Sequence, residues 1–193
     1  MKIYTKIGDK GSTRLYSGET VPKNDPLVMA YGKIDTLVSF IGFSKSLISS
    51  IKRKNSRAKI KEIANELEKL QIICFKIMTD LAGTNIQNIE RIEEKDIEYI
   101  ESQIDKIWEE LPQLKNFIIP GNDPYSASLH LARSICREVE PILLQANSKY
   151  NINPLILKIV NRISDLLFSI SIKIDLLINK NLSIIKNNKK LEQ

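Results

Sequence analysis

Apolar residues recur at three- and four-residue intervals over most of this chain, and the runs are long. Leu27, Ala30, Tyr31, Ile34, Leu37, Val38, Ile41 and Leu47 trace the first, from about 27 to 47, opening just after Pro26. Ile60, Ile63, Ala64, Leu67, Leu70, Cys74, Ile77 and Leu81 trace a second, from about 56 to 81, ending before Gly83. A third, about 93 to 111, is marked by Ile97, Ile100, Ile104, Ile107 and Leu111; acidic residues crowd its start and Pro112 stops it. A fourth runs from about 124 to 146. The fifth, about 153 to 178, carries Ile156, Ile159, Val160, Ile163, Leu166, Leu167, Ile170, Ile174 and Leu177. Amphipathic helices of this length predict an all-α bundle, and the width of the fifth apolar face predicts burial against a neighbouring copy as well as inside the subunit.

Two segments escape the periodicity. Residues 1–26 contain Gly8, Gly11, Gly18, Pro22 and Pro26 and read as an irregular N-terminal arm, either an ordered loop laid over the bundle or a short β-like arm. Residues 179–193 carry Asn179, Asn181, Asn187, Asn188 and three lysines among the last eight positions, which predicts a frayed basic tail. The expected organisation is one domain over 1–178, with the arm at 1–26 and the bundle at 27–178. A 42% hydrophobic content and a length of 193 residues suffice for a single core, and seven Gly, seven Pro and 6% aromatics favour helices over a sandwich or barrel.

The net charge of +6 does not by itself imply nucleic acid. Lys52, Arg53, Lys54, Arg57, Lys59 and Lys61 account for the whole excess, with no acid between 51 and 61 and no aromatic interleaved to stack on bases. The segment reads as a solvated connection between helices. Cys74 and Cys136 each sit inside an apolar pattern and have no CxxC partner, as expected of core residues in a reduced, cytosolic protein. No apolar run follows Met1-Lys2, and the stretch 155–178 carries Lys158, Arg162, Asp165, Lys173 and Asp175, so neither a signal peptide nor a membrane span is expected.

Chemistry concentrates in two places. Thr5-Lys6-Ile7-Gly8-Asp9-Lys10-Gly11-Ser12-Thr13-Arg14 offers glycines, hydroxyls and cations that can surround an anion, but it lacks the GxxxxGK[ST] spacing and preceding strand of a Walker A loop. It can equally be a glycine-rich leader, although Thr5, Thr13 and Lys23 would be odd choices for one. On the fourth helix, Arg133, Arg137 and Glu140 share a face, and Arg137 and Glu140 are spaced to pair; surface or intersubunit ion pairs would use the same pattern. His130, the only histidine, sits one turn before them without a second metal-binding side chain, and reads as a packing or orienting residue. Asn161, Ser164 and Asp165 interrupt the fifth apolar stripe, Asp35 stands on the first with Arg133 as a plausible mate, and Phe117-Ile118-Ile119-Pro120-Gly121-Asn122 is an apolar segment ending in a turn.

Thr5-Lys6-x-Gly8-Asp9-Lys10-Gly11-x-Thr13, Ala30-Tyr31-Gly32-x2-Asp35, Phe117-Ile118-Ile119-Pro120-Gly121, Leu129-His130-x-Ala132-Arg133-x3-Arg137-x2-Glu140 and Asn161-Arg162-Ile163-Ser164-Asp165 stand in one order over residues 1 to about 172. That order resembles the PduO-type ATP:cob(I)alamin adenosyltransferases. The resemblance implies a ferritin-like five-helix bundle, a homotrimer with ATP and the corrinoid between subunits, and transfer of the 5′-deoxyadenosyl group to cob(I)alamin with release of triphosphate. By carry-over, Thr5, Lys6, Gly8, Asp9, Gly11, Ser12, Thr13, Arg14 and Lys23 would wrap the triphosphate, with Arg137 and Glu140, the latter partly through Mg2+, and Asn161 at the nucleoside end. Arg133 would pair with Asp35 across the interface, and Phe117 would lie beneath the corrin ring. A reductase and an adenosylcobalamin-dependent enzyme are implied as partners, and neither nucleic acid nor membrane is. Glu138, Pro141, Asn122 and Thr36 depart from the family's usual residues and make the fourth helix less positive. A nonenzymatic nucleotide-binding or cobalamin-delivering trimer of the same fold is the alternative.

Overall fold

The computed structural model describes residues 6–83 and 87–185. Five long helices form there: α1 (Pro26–Ser49), α2 (Arg57–Ala82), α3 (Glu94–Glu110), α4 (Pro124–Tyr150) and α5 (Leu155–Asn179). Their ends have local causes. Asp25 caps α1 by accepting the Leu27 N–H, and Asp123 caps α4 by accepting those of Tyr125 and Ser126. Each cap is followed by a proline, whose fixed φ suits the first helical position. Glu93 and Asp96 exchange bonds in a capping box at the start of α3. The left-handed residues Asn151 and Lys180 close α4 and α5.

α1 packs against α2 and α4, while α5 packs against α4 and α3. Among the described residues, α1 is the one helix long and apolar enough to cross a membrane by length and composition. Its Ala30, Ile34, Leu37 and Ile41 are at most 1% exposed, so it serves as a core helix of the bundle. The α1–α2 approach is close, since a Cβ at Gly42 would lie 2.8 Å from Nε2 of Gln71, which donates to the Val38 carbonyl.

The wide apolar face of α5 is consumed inside the subunit. Ile156, Ile159, Val160, Ile163, Leu166, Leu167, Ile170 and Ile174 are all at most 2% exposed, because α5 runs between α3 and α4. That face therefore gives no argument for a neighbouring copy. The apolar surface left open lies elsewhere, on Phe43 of α1, Ile72 and Phe75 of α2, and Leu131 and Leu144 of α4.

Of the two forms expected for the arm, the β-like one is present. Strands β1 (Ser12–Arg14) and β2 (Thr20–Pro22) pair antiparallel, with Thr13 opposite Val21, and buried Leu15 and Val21 anchor the hairpin on the bundle. The frayed tail expected from 179 onward needs correction. The Ile119 N–H donates to the Ser183 carbonyl at 2.8 Å and the Ile185 N–H to the Phe117 carbonyl at 2.9 Å. The extended segment after Pro112 presents free peptide groups, and the chain leaving α5 supplies partners for them through an isolated bridge between Ile118 and Ile184. The remainder of the tail, 186–193, lies outside the described residues.

Candidate functional site

Helical spacing places His130, Arg133, Arg137 and Glu140 along one side of α4. The 117–120 segment passes over its N-terminal part and encloses a cavity of about 380 Å³, lined by Phe117, Ile118, Pro120, His130, Arg133 and Phe168. Arg133 holds its guanidinium carbon 5.4 Å from the centre of the Phe168 ring, a cation–π contact at the cavity wall. His130 meets the same ring edge-on, with centroids 6.1 Å apart. It is 7% exposed and its Nε2 has no hydrogen-bond partner. Burial first, then the Arg133 charge, lowers its pKa, so the imidazole is neutral at neutral pH. Phe117 itself is 81% exposed, held out from the bundle by the backbone pairing of its segment.

One to two turns farther along α4, Arg137 projects to solvent and half-buried Glu140 accepts a bond from the Asn161 amide at 3.3 Å. The Arg137–Glu140 pair expected from spacing is not formed; Asn161 takes that place. Asp35 is exposed on α1 and makes no ion pair with Arg133 within the subunit. Arg162 donates to Glu101 at 2.6 Å and lies 3.6 Å from Asp165, bracing α5 against α3.

In the arm, Lys6 and Gly11 are left-handed, and the Gly11 N–H bonds the Gly8 carbonyl. A Cβ on Gly8 would lie 3.0 Å from the Lys23 ammonium, so that cation folds close over the turn. Ser12 and Thr13 are half-buried, while Asp9 and Arg14 are exposed. Among the described residues no ion pair joins Asp9, Arg14 or Lys23 to Arg133, Arg137 or Glu140. Thr5 lies outside the described residues.

The cobalamin adenosyltransferase family profile matches residues 3–174. A corrinoid adenosyltransferase of Bacillus subtilis is 34% identical over 169 residues, covering 88% of this chain and 84% of the relative. One of Citrobacter freundii is 33% identical over 175 residues, covering 88% and 93%. A variant PduO-type ATP:corrinoid adenosyltransferase from Lactobacillus reuteri, complexed with cobalamin and ATP, superposes with a TM-score of 0.86 at 34% identity, covering 96% of this chain and all of that one. The chain belongs to the cobalamin adenosyltransferase family.

Three of the four residues singled out in the sequence as departing from the family's usual pattern lie together. Thr36, Glu138 and Pro141 line one groove of about 570 Å³ between α1 and α4, where Glu138 pairs with Lys33. Pro141 also lacks the N–H that would bond the Arg137 carbonyl one turn earlier. The fourth departure, Asn122, bonds the Asn181 carbonyl and the Ser183 hydroxyl, tying the 117–122 segment to the tail. Sequence reasoning missed Phe168, which lies seven residues after Asn161 and so on the same helical stripe. It also missed Trp108, whose indole N–H donates to Ser169 at 2.9 Å beside the Phe168 ring.

Proposed function

We propose that the chain is an ATP:corrinoid adenosyltransferase, moving the 5′-deoxyadenosyl group of ATP to cob(I)alamin with release of triphosphate. The observation that carries the reading is the cavity between Phe117 and Arg133, one turn along α4 from Arg137 and the Glu140–Asn161 pair. In the reaction the Co(I) electron pair attacks the 5′ carbon, a Co–C bond forms, and the C–O bond to the triphosphate breaks with its electrons leaving on oxygen. Co(I) is itself the nucleophile, so no protein base is needed, in keeping with a neutral His130. The protein's work is alignment and stabilisation of an anionic leaving group.

Lys6, Lys23 and Arg137 supply cations for that leaving group, Gly8, Gly11, Ser12 and Thr13 supply close-approaching donors, and Thr5, Asp9 and Arg14 complete the arm. Asn161 holds the nucleoside end. Phe117 fills the space under the corrin ring and keeps water and the lower ligand off cobalt. Asp35 and Arg133, unpaired with each other in one subunit, meet across the interface of a homotrimer. No cluster of three or more metal-binding side chains occurs among the described residues, and Glu140 is a single carboxylate already bonded to Asn161. That donor set suits Mg2+ held mainly by phosphate oxygens and water, where it would neutralise phosphate charge. A cytosolic setting with a separate reductase completes the reading.

Anaerobic incubation with chemically reduced cob(I)alamin and Mg-ATP should give a light-sensitive Co–C product together with triphosphate. ATP binding with neither product would make the protein a nucleotide-binding carrier. Arg137→Ala should abolish turnover in the enzyme by leaving the departing triphosphate unneutralised; loss of ATP binding alone would fit the carrier. Sedimentation showing only monomers would remove the interfacial roles of Asp35 and Arg133.

A further inference from the structure

A cavity larger than the one beside Phe117 lies away from this site. It is a groove of about 680 Å³ at the elbow between α1 and α2. Ile51, buried Ile60 and Ala64 contribute apolar lining, and Lys52, Lys54, Arg57 and Lys61 stand exposed around them. Glu68 is the one acid among the lining residues, and Lys45 already pairs with it at 3.4 Å. None of the four rim cations makes an ion pair with a described residue. Arg53 is different in kind, since it donates to the Leu177 and Ile178 carbonyls and closes the last turn of α5. A solvated connection would not need an apolar floor, and a nucleic-acid groove would offer aromatics for stacking, of which the lining has none.

We propose that this groove docks an acidic, amphipathic segment of another protein, its carboxylates meeting the four cations and its apolar side chains the Ile60–Ala64 floor. Charge complementarity selects that occupant. The α5 turn held by Arg53 leads directly into the tail strand that pairs with the Phe117 segment, so a docked partner sits at the proposed corrinoid end of the bundle. Binding itself does not depend on the adenosyltransferase reading.

The test is fluorescence anisotropy of the full chain with a labelled peptide carrying glutamates on one helical face and leucines on the other. Binding should weaken at least about tenfold in the Lys52→Glu/Lys54→Glu/Lys61→Glu variant, and by less in the triple Lys→Gln variant, which guards against a folding defect in the first. A peptide with its leucines replaced by serines should also bind more weakly, and adenosylation of cob(I)alamin should be unchanged in both protein variants. Several results would overturn the proposal. These are no peptide binding at low salt, equal binding of the serine peptide, or a single-stranded oligonucleotide bound as tightly as the peptide. Self-association through the acidic α3 of a second copy, abolished by charge reversal, would overturn it too. Loss of adenosylation in a folded variant would instead assign the groove to the reaction.

Discussion

The two ends of α4 are built on opposite terms. At its C-terminal end Asp25, 3% exposed, accepts the Leu27 N–H at 2.9 Å, the Lys149 ammonium at 2.6 Å and the Tyr150 hydroxyl at 2.7 Å. Burial alone would raise its pKa, but those donors outweigh it and hold the carboxyl below its ordinary range. At the N-terminal end Asp175, fully buried, has Ser126, Asp123 and Asn179 for neighbours, yet neither carboxylate oxygen completes a hydrogen bond. Beside it the Phe117 segment is held by backbone bonds to the tail and leaves its aromatic ring in solvent. The arm end is fixed and satisfied, while the Phe117 end keeps polar and apolar groups without partners. A site that must present fixed donors to phosphate and still admit a large flat corrinoid needs both kinds of construction.

Removing the anchor of the fixed end should give the largest effect. Asp25→Ala deletes the α1 cap and two charge-assisted bonds, and should destabilise the protein by about 3 kcal/mol in urea unfolding near neutral pH. Because the folded pKa is depressed, this stabilisation is present above the ordinary carboxylate value of 3.8 and is lost as pH falls through the folded one. The gap between wild type and variant should therefore narrow below that value. A gap that stays constant with pH would show that the cap geometry matters and the ionic cluster does not.

The open end should answer differently. Phe117→Ala removes a side chain that is 81% exposed, so unfolding and ATP affinity should hardly change. Adenosylation starting from Co(II) should slow by about tenfold or more, equivalent to about 1.4 kcal/mol of barrier, because water would reach the lower face of cobalt. Unchanged turnover would take Phe117 out of the reaction and leave its segment as a plug for the end of the bundle.

The helices and their boundaries were legible because periodicity, proline and cap signals agree along this chain; Pro26 and Pro124 sit where the first turns begin. Order in the tail was not legible. Asn179 and Asn181 look like a disordered end until the free peptide edge of 117–119, far away in sequence, is brought beside them. The breadth of the α5 face was read as burial both inside the subunit and against a neighbouring copy; packing on α3 and α4 already accounts for it, since periodicity reports how much of a helix is covered and not by what. Arg133 and Glu140 were legible as chemistry, while their contacts Phe168 and Asn161 follow from how α4 lies on α5. Phe168 was invisible because an aromatic at helical spacing looks like any other core residue.

The smallest expected effect sharpens the comparison most directly. Burial, together with the Asp123 carboxylate, raises the pKa of Asp175 against the opposing pull of Ser126 and Asn179. A raised carboxyl in the folded state means that the unfolded chain gives up its proton first as pH rises. Asp175 therefore costs nothing below the ordinary value of 3.8 and progressively destabilises the fold up to its folded pKa. Asp175→Asn keeps the shape, cannot ionise, and adds an amide that can donate toward Asp123 or the Ser126 hydroxyl. It should stabilise the protein by about 1 kcal/mol near neutral pH, with the gain fading as acid protonates the wild-type carboxyl. The same substitution at Asp25 should destabilise over the range where Asp175→Asn stabilises, because Asp25 already has donors and an amide would face the Leu27 N–H and the Lys149 ammonium with only one acceptor oxygen. Two Asp→Asn changes of opposite sign at the two ends of one helix would establish that the difference lies in hydrogen-bond satisfaction; equal signs would reduce it to burial alone.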